Sequence, residues 1–212
     1  MENELLLRVL GALISGGLSV WIILDGGFWL YVEMALCLGG LLREWIKINR
    51  SKNGPLFIGG CIYLTLPMLF WSWKAFYFPD MIAKEILWVL TIVATCDTFA
   101  FFGGRILGGP KLAPKISPNK TWSGVVVGAI FAYIASIVYV NTIFVDTTQW
   151  RTKWTVILIV AAILGDLLES KVKRVLKVKD TGNAIPGHGG LCDRLDSFLM
   201  ATYVRALMLG CT

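Results

Sequence analysis

Apolar residues in this chain neither alternate with polar ones nor recur on a single amphipathic stripe. They gather in long blocks separated by short charged stretches, at residues 5–24, 28–42, 56–73, 86–102, 124–145, 154–168 and 195–210. A helix needs about 20 apolar residues, within a range of roughly 17–25, to cross a bilayer. The second and sixth blocks are short and need their flanks to reach that length. The pattern predicts an all-α integral membrane protein with six or seven transmembrane helices. No repeat of 20–50 residues and no low-complexity linker divides the chain, so residues 1–212 read as a single polytopic membrane domain.

Composition strengthens this reading. The 212 residues are 56% hydrophobic and 16% charged, against roughly 25% charged in ordinary soluble domains. The mean hydropathy is +0.69. A soluble domain of this size could not cover its surface with so few polar groups. A disordered chain, a collagen-like chain and a disulfide-stapled secreted module are excluded. Trp21, Trp29, Trp45, Trp71, Trp73, Trp122, Trp150 and Trp154 mostly sit near block ends, as interfacial anchors do. Cys37, Cys61, Cys96, Cys192 and Cys211 form no CxxC pair and read as plain thiols rather than a disulfide or zinc framework.

The net charge of +6 would suggest nucleic acid in a soluble protein. Here fourteen of the 20 Lys and Arg residues fall within 43–55, 103–122 and 169–195. With seven spans these segments share one side with the N-terminus, and the positive-inside rule makes that side cytoplasmic. The first block follows Glu2 and Glu4 and lacks a clear small-residue cleavage site, so it reads as a retained span rather than a signal peptide. No nucleic-acid partner is expected; the lipid bilayer is.

The polar residues that need a chemical explanation lie in two segments, around 97–124 and 165–197. On a helix, Asp166, Glu169, Ser170, Lys173, Arg174 and Lys177 fall on one face. The carboxylates lie at the membrane end and the cations follow. A metal site followed by a phosphate rail would use such a stripe; so would a solvated helix end with i,i+4 ion pairs such as Glu169 with Lys173. Asp166 favours function, because a carboxylate against an apolar run is costly without a partner. Next, Lys179 and Asp180 lead into a loop with four glycines, Gly182, Gly187, Gly189 and Gly190, around the sole histidine, His188. Glycines let backbone N–H groups approach an anion. Asp193, Arg194 and Asp196 open the last block; Asp193 and Asp196 share a helical face. Three aspartates suit Mg²⁺ better than a helix cap does, and the lack of clustered His and Cys disfavours zinc. In the earlier segment, Asp97 sits inside an apolar block, and Ser117-Pro118 carries the N-cap and N1 signature of a helix start. Such a start would present Lys120 and Thr121 at an anion-binding helix N-terminus.

The stretch Ser170-x₂-Lys173-Arg174-x₄-Lys179-Asp180-x-Gly182-x₂-Ile185-Pro186-x-His188-Gly189-Gly190-Leu191-x-Asp193-Arg194-Leu195-Asp196 resembles the signature of the phosphatidate cytidylyltransferases, or CDP-diacylglycerol synthases. Asp97 and Ser117-Pro118-Asn119-Lys120-Thr121 resemble two further motifs of that family. Phe101 stands where the family often has tyrosine, and Ser123 where glutamate is common. The resemblance implies transfer of CMP from CTP to phosphatidic acid in phospholipid biosynthesis, with Mg²⁺ as cofactor, alone or beside a second cation. It implies that Asp166, Asp193 and Asp196 bind the metal. Lys173, Arg174, Lys179, Asp180 and His188 would form the catalytic set. Ser117, Lys120, Thr121, Ser170, Gly189, Gly190 and Arg194 would hold substrate phosphates, with Asp97 and Glu169 in support. CTP places the site on the cytoplasmic face of a bacterial inner membrane, and a span set this small is expected to pair with a second copy. A CTP-dependent enzyme acting on another lipid, such as a polyprenol kinase, is the alternative. An ion-coupled transporter fits less well, because the carboxylates cluster with cations at one face and no inverted repeat is visible.

Overall fold

The computed structural model describes residues 16–49, 54–144, 148–182 and 189–208. Every apolar block that reaches these residues lies on a helix. The helices are α1 (Gly16–Asp25), α2 (Phe28–Ile48), α3 (Gly54–Tyr77), α4 (Pro79–Leu107), α5 (Trp122–Ile143), α6 (Thr148–Leu176) and α7 (Cys192–Leu207). The short second and sixth blocks do extend into their flanks: α2 reaches Ile48, and α6 runs from Thr148 through the polar stripe to Leu176. Among the described residues three helices, α3, α4 and α5, are long and apolar enough to cross a membrane. The protein is a helical membrane protein.

One expectation fails locally. Ser117-Pro118 does not start a helix. Residues 111–121 form a two-stranded antiparallel hairpin of β1 (Lys111–Ala113) and β2 (Ser117–Thr121), with Lys111 opposite Thr121 and Ala113 opposite Ser117. The hairpin follows Gly108 and Gly109, whose φ values of +62° and +100° turn the chain out of α4. Pro118 is tolerated because a two-stranded ribbon is all edge. The cap of α5 is instead Thr121, whose Oγ1 accepts from the Gly124 amide at 3.1 Å. The N-cap that α5 uses lies four residues after Ser117, at Thr121.

The chain divides into two compact units. One comprises Met1–Leu87 and Val178–Leu195, the other Trp88–Lys177 and Asp196–Thr212. In the first, the Trp45 indole donates to the Phe57 carbonyl at 3.0 Å, tying α2 to α3. The same ring fills the space where a side chain on Gly60 would stand. Lys74 is not the solvated loop residue its position suggests; it is buried within α3 and paired with Glu85 of α4.

In the second unit, α5 shows most directly how apolar helices are held together. Its buried positions are Gly124, Gly128, Ala132, Ser136 and Val140, one every four residues. Its exposed ridge is Val126, Ile130, Ile134 and Val138. Small residues face in and large ones face out, which is the arrangement for a helix solvated by lipid. A Cβ on Gly128 would lie 2.6 Å from the Cys96 carbonyl, and one on Gly124 would meet the Ala100 carbonyl, so α4 and α5 touch at backbone distance. Ser136 Oγ accepts from the Trp88 indole at 2.8 Å and lies 2.7 Å from Thr155 Oγ1. The Arg151 guanidinium stacks 3.7 Å from the Phe144 ring centroid.

Gly128→Ala will destabilise the protein by about 1–3 kcal/mol, read as a lower melting temperature in detergent. Gly39→Ala, on α2 with open space around its Cβ position, will leave it unchanged or raise it, since alanine is the better helix former by about 1 kcal/mol.

Candidate active site

The polar groups of the second unit converge from four elements. The Lys120 ammonium, on β2, is ion-paired with Asp166 of α6. Asp97 on α4 and Asp196 on α7 act electrostatically on Asp166 and on Lys120. Gly165 makes this convergence possible. A Cβ there would lie 2.6 Å from the Asp196 carbonyl and 2.7 Å from Met200 Cβ. The absent side chain lets the start of α7 approach α6 next to Asp166. Lys120 reaches Asp166 because β2 crosses the flank of α6, where Arg174 Nε also donates to the Ile116 carbonyl at 3.3 Å. The hairpin is thus fastened to α6 at two points.

The predicted helical stripe is present on α6. Ser170 Oγ donates to Asp166 at 3.4 Å, and Lys173 pairs with Glu169 at 2.9 Å. The i,i+4 pair is the bland use of the stripe, and it coexists with the convergence on Asp166. Arg174 is exposed. Thr121 is buried and spends its hydroxyl on the α5 cap and on Ser123, 3.0 Å away. Ser117 opens β2.

The first unit holds the other predicted residues. Lys179 and Asp180 are exposed beyond the end of α6, and Arg194 is exposed on the first turn of α7. Asp193 Oδ2 accepts from the backbone amides of Thr181 at 2.9 Å and Gly190 at 3.0 Å. Gly189 has φ +86°, a conformation that suits glycine. His188 lies outside the described residues.

The sequence reading missed Glu44. This α2 residue is buried, and its carboxylate accepts from the Leu191 amide at 2.8 Å, the Cys192 amide at 3.0 Å and the Thr181 hydroxyl at 3.1 Å. Leu191 and Cys192 are the cap and first residue of α7, whose opening helical bond runs from the Leu195 amide to the Leu191 carbonyl. Glu44 therefore caps α7 from another helix. The available signal was a carboxylate in Leu41-Leu42-Arg43-Glu44-Trp45-Ile46, where a charge is costly without partners.

Among the described residues no three His, Cys, Asp or Glu side chains gather to hold a metal ion. The donor set nevertheless suits Mg²⁺, which commonly takes one or two carboxylates and completes its shell with water and substrate phosphates. Asp166 and Asp196 lie on either side of the close approach at Gly165 and could supply such carboxylates.

Residues 55–212 match the cytidylyltransferase family. The chain belongs to that family. It is 34% identical to a phosphatidate cytidylyltransferase of Rickettsia conorii over 98% of this chain and 92% of that one. It is 35% identical to one of Rickettsia bellii over 99% and 92%, and 35% identical to one of Brucella abortus over 86% and 66%. Membership of the cytidylyltransferases makes the protein a nucleotidyltransferase.

Thr121→Ala will lower stability by about 1 kcal/mol through loss of the α5 cap, and Thr121→Ser will retain most of it. Thermal unfolding of the purified protein in detergent measures both.

Proposed function

We propose that this protein transfers CMP from CTP to phosphatidate, releasing pyrophosphate and forming CDP-diacylglycerol for phospholipid synthesis. The observation that carries the reading is the meeting of Lys120, Asp166, Asp97 and Asp196 among apolar helices. The relatives named as phosphatidate cytidylyltransferases support it. A phosphatidate oxygen attacks the α-phosphorus of CTP. A new P–O bond forms, and the bond from that phosphorus to the bridging oxygen breaks, sending its electron pair to pyrophosphate. The nucleophile is already an anion, so no strong base is required. The barrier lies in bringing two anions together and in the charge that builds on the leaving group.

Asp166, Asp193 and Asp196 are the residues that would hold a divalent ion, with Mg²⁺ the assignment, and the ion would supply charge neutralisation at the phosphates. Lys120, Lys173 and Arg174 bind and orient phosphate oxygens in this reading. Lys120 and Lys173 wait in ion pairs with Asp166 and Glu169, so an incoming phosphate competes for cations that are already in place. Lys179, His188 and Arg194 are assigned to substrate phosphates, Asp180 to orienting the lysines, and Ser117 and Ser170 to neutral hydrogen bonding. The exposed apolar ridges of α5 and α6 would let a lipid substrate stay in the bilayer. The concentration of Lys and Arg in 43–55, 103–122 and 169–195 supports seven spans, an N-terminus and active site on the cytoplasmic side, and a bacterial inner membrane. A homodimer belongs to the same reading.

The test is a micellar assay with labelled CTP, phosphatidate and Mg²⁺. CDP-diacylglycerol will form only when lipid and metal are both present. Asp166→Asn will reduce kcat by at least about a hundredfold, and Lys120→Ala by about ten- to a hundredfold. Folded wild-type protein that is silent on phosphatidate but active on a polyprenol or another lipid phosphate would move the assignment to that lipid.

A further inference from the structure

The Glu44 carboxylate is the centre of a clamp that joins three parts of the first unit. Its two oxygens take the Leu191 and Cys192 amides and the Thr181 hydroxyl. A second carboxylate, Asp193, takes the Thr181 and Gly190 amides. Thr181 is thus held through its side chain by Glu44 and through its backbone by Asp193, and the two ends of the glycine-rich segment are fixed beside each other. Two of the glycines fit this arrangement closely. A Cβ on Gly182 would lie 2.6 Å from Glu44 Oε1, and one on Gly190 would lie 2.7 Å from Glu44 Oε2. These glycines make room for the protein's own carboxylate.

The clamp also changes the electrostatics of α7. A free helix N-terminus attracts phosphate. Here the first amides already face a buried carboxylate, so the start of α7 offers phosphate no bare set of N–H groups. Its useful contributions are side chains, Arg194 and Asp193, and their placement depends on the cap.

We infer that Glu44 is a positioning residue: it fixes the first turn of α7 and the Lys179–Gly182 segment so that Arg194, Asp193 and Lys179 meet the substrate in register. The inference rests on the cytidylyl-transfer reading for what those residues do, and on the hydrogen bonds alone for the clamp.

Glu44→Gln tests it. The variant keeps the volume but sets an amide NH₂ against a backbone N–H donor. The expected result is a fall in kcat of about 10- to 100-fold with KM for CTP changed less than about threefold. Amide hydrogen exchange of a peptide covering 189–195 will quicken, while peptides from α5 keep wild-type rates. Thr181→Val, which removes one hydroxyl, will show a smaller fall in kcat. The double variant will lose no more than Glu44→Gln alone, because both changes break one coupled unit. Wild-type kcat in folded Glu44→Gln overturns the inference, and so does exchange that quickens equally in α5. If Glu44→Gln does not fold, Thr181→Val decides, and wild-type kcat there overturns it. If the wild-type enzyme makes no CDP-diacylglycerol, the functional reading falls separately; unchanged exchange at 189–195 in Glu44→Gln would then overturn the clamp as well.

Discussion

Helices in a lipid solvent gain little by turning apolar side chains toward one another, because the solvent is as apolar as they are. What holds them is close approach of backbones and the pairing of polar groups. This chain depends on that constraint. Gly124 and Gly128 bring α5 against the carbonyls of α4, and Gly165 brings α6 against the start of α7. The second approach also brings α7 next to Asp166, the position after Gly165.

Three of the charges described above are answered by a partner. Lys74 has Glu85, Lys120 has Asp166, and Glu44 has two amides and a hydroxyl. In a low-dielectric setting an unanswered charge would be neutralised or expelled. The pairs differ in what they leave available. Lys74 and Glu85 are almost fully enclosed, whereas the Lys120 and Asp166 side chains each keep about a quarter of their surface accessible. Of these two pairs the second is the more accessible.

Much of this was legible in the sequence, for physical reasons that can be named. The apolar blocks mark the helices because a lipid-facing helix must be apolar on most sides. The Asp166–Lys177 stripe was readable because helical periodicity fixes which residues share a face, and α6 holds them on a continuous helix to Leu176. Glu44 was not legible: its partners stand 137 to 148 positions away, and most are backbone amides that carry no residue identity. Ser117-Pro118 misled for a related reason. A local signature scores the preference of one residue pair, while the hairpin also involves cross-strand pairing and the preceding glycines. The glycines of the 182–190 segment were read as an anion cradle. Two of them, Gly182 and Gly190, clear space for the Glu44 carboxylate, which sequence spacing could not place nearby.

The hairpin has a consequence for how this segment can vary. In a strand, neighbouring residues point to opposite sides. Lys120 turns toward α6 and Asp166, while Thr121 turns toward the start of α5. Two adjacent residues therefore bolt the strand to two different helices. A single residue inserted or deleted between Pro118 and Lys120 would shift Ser117 out of register with Ala113 of β1, while the local Thr121 cap would stay with α5. The exposed positions Pro118 and Asn119 are free to change identity at little cost. The spacing of this stretch is under far tighter constraint than its composition, so its length is the better guide to whether a related chain keeps the same junction.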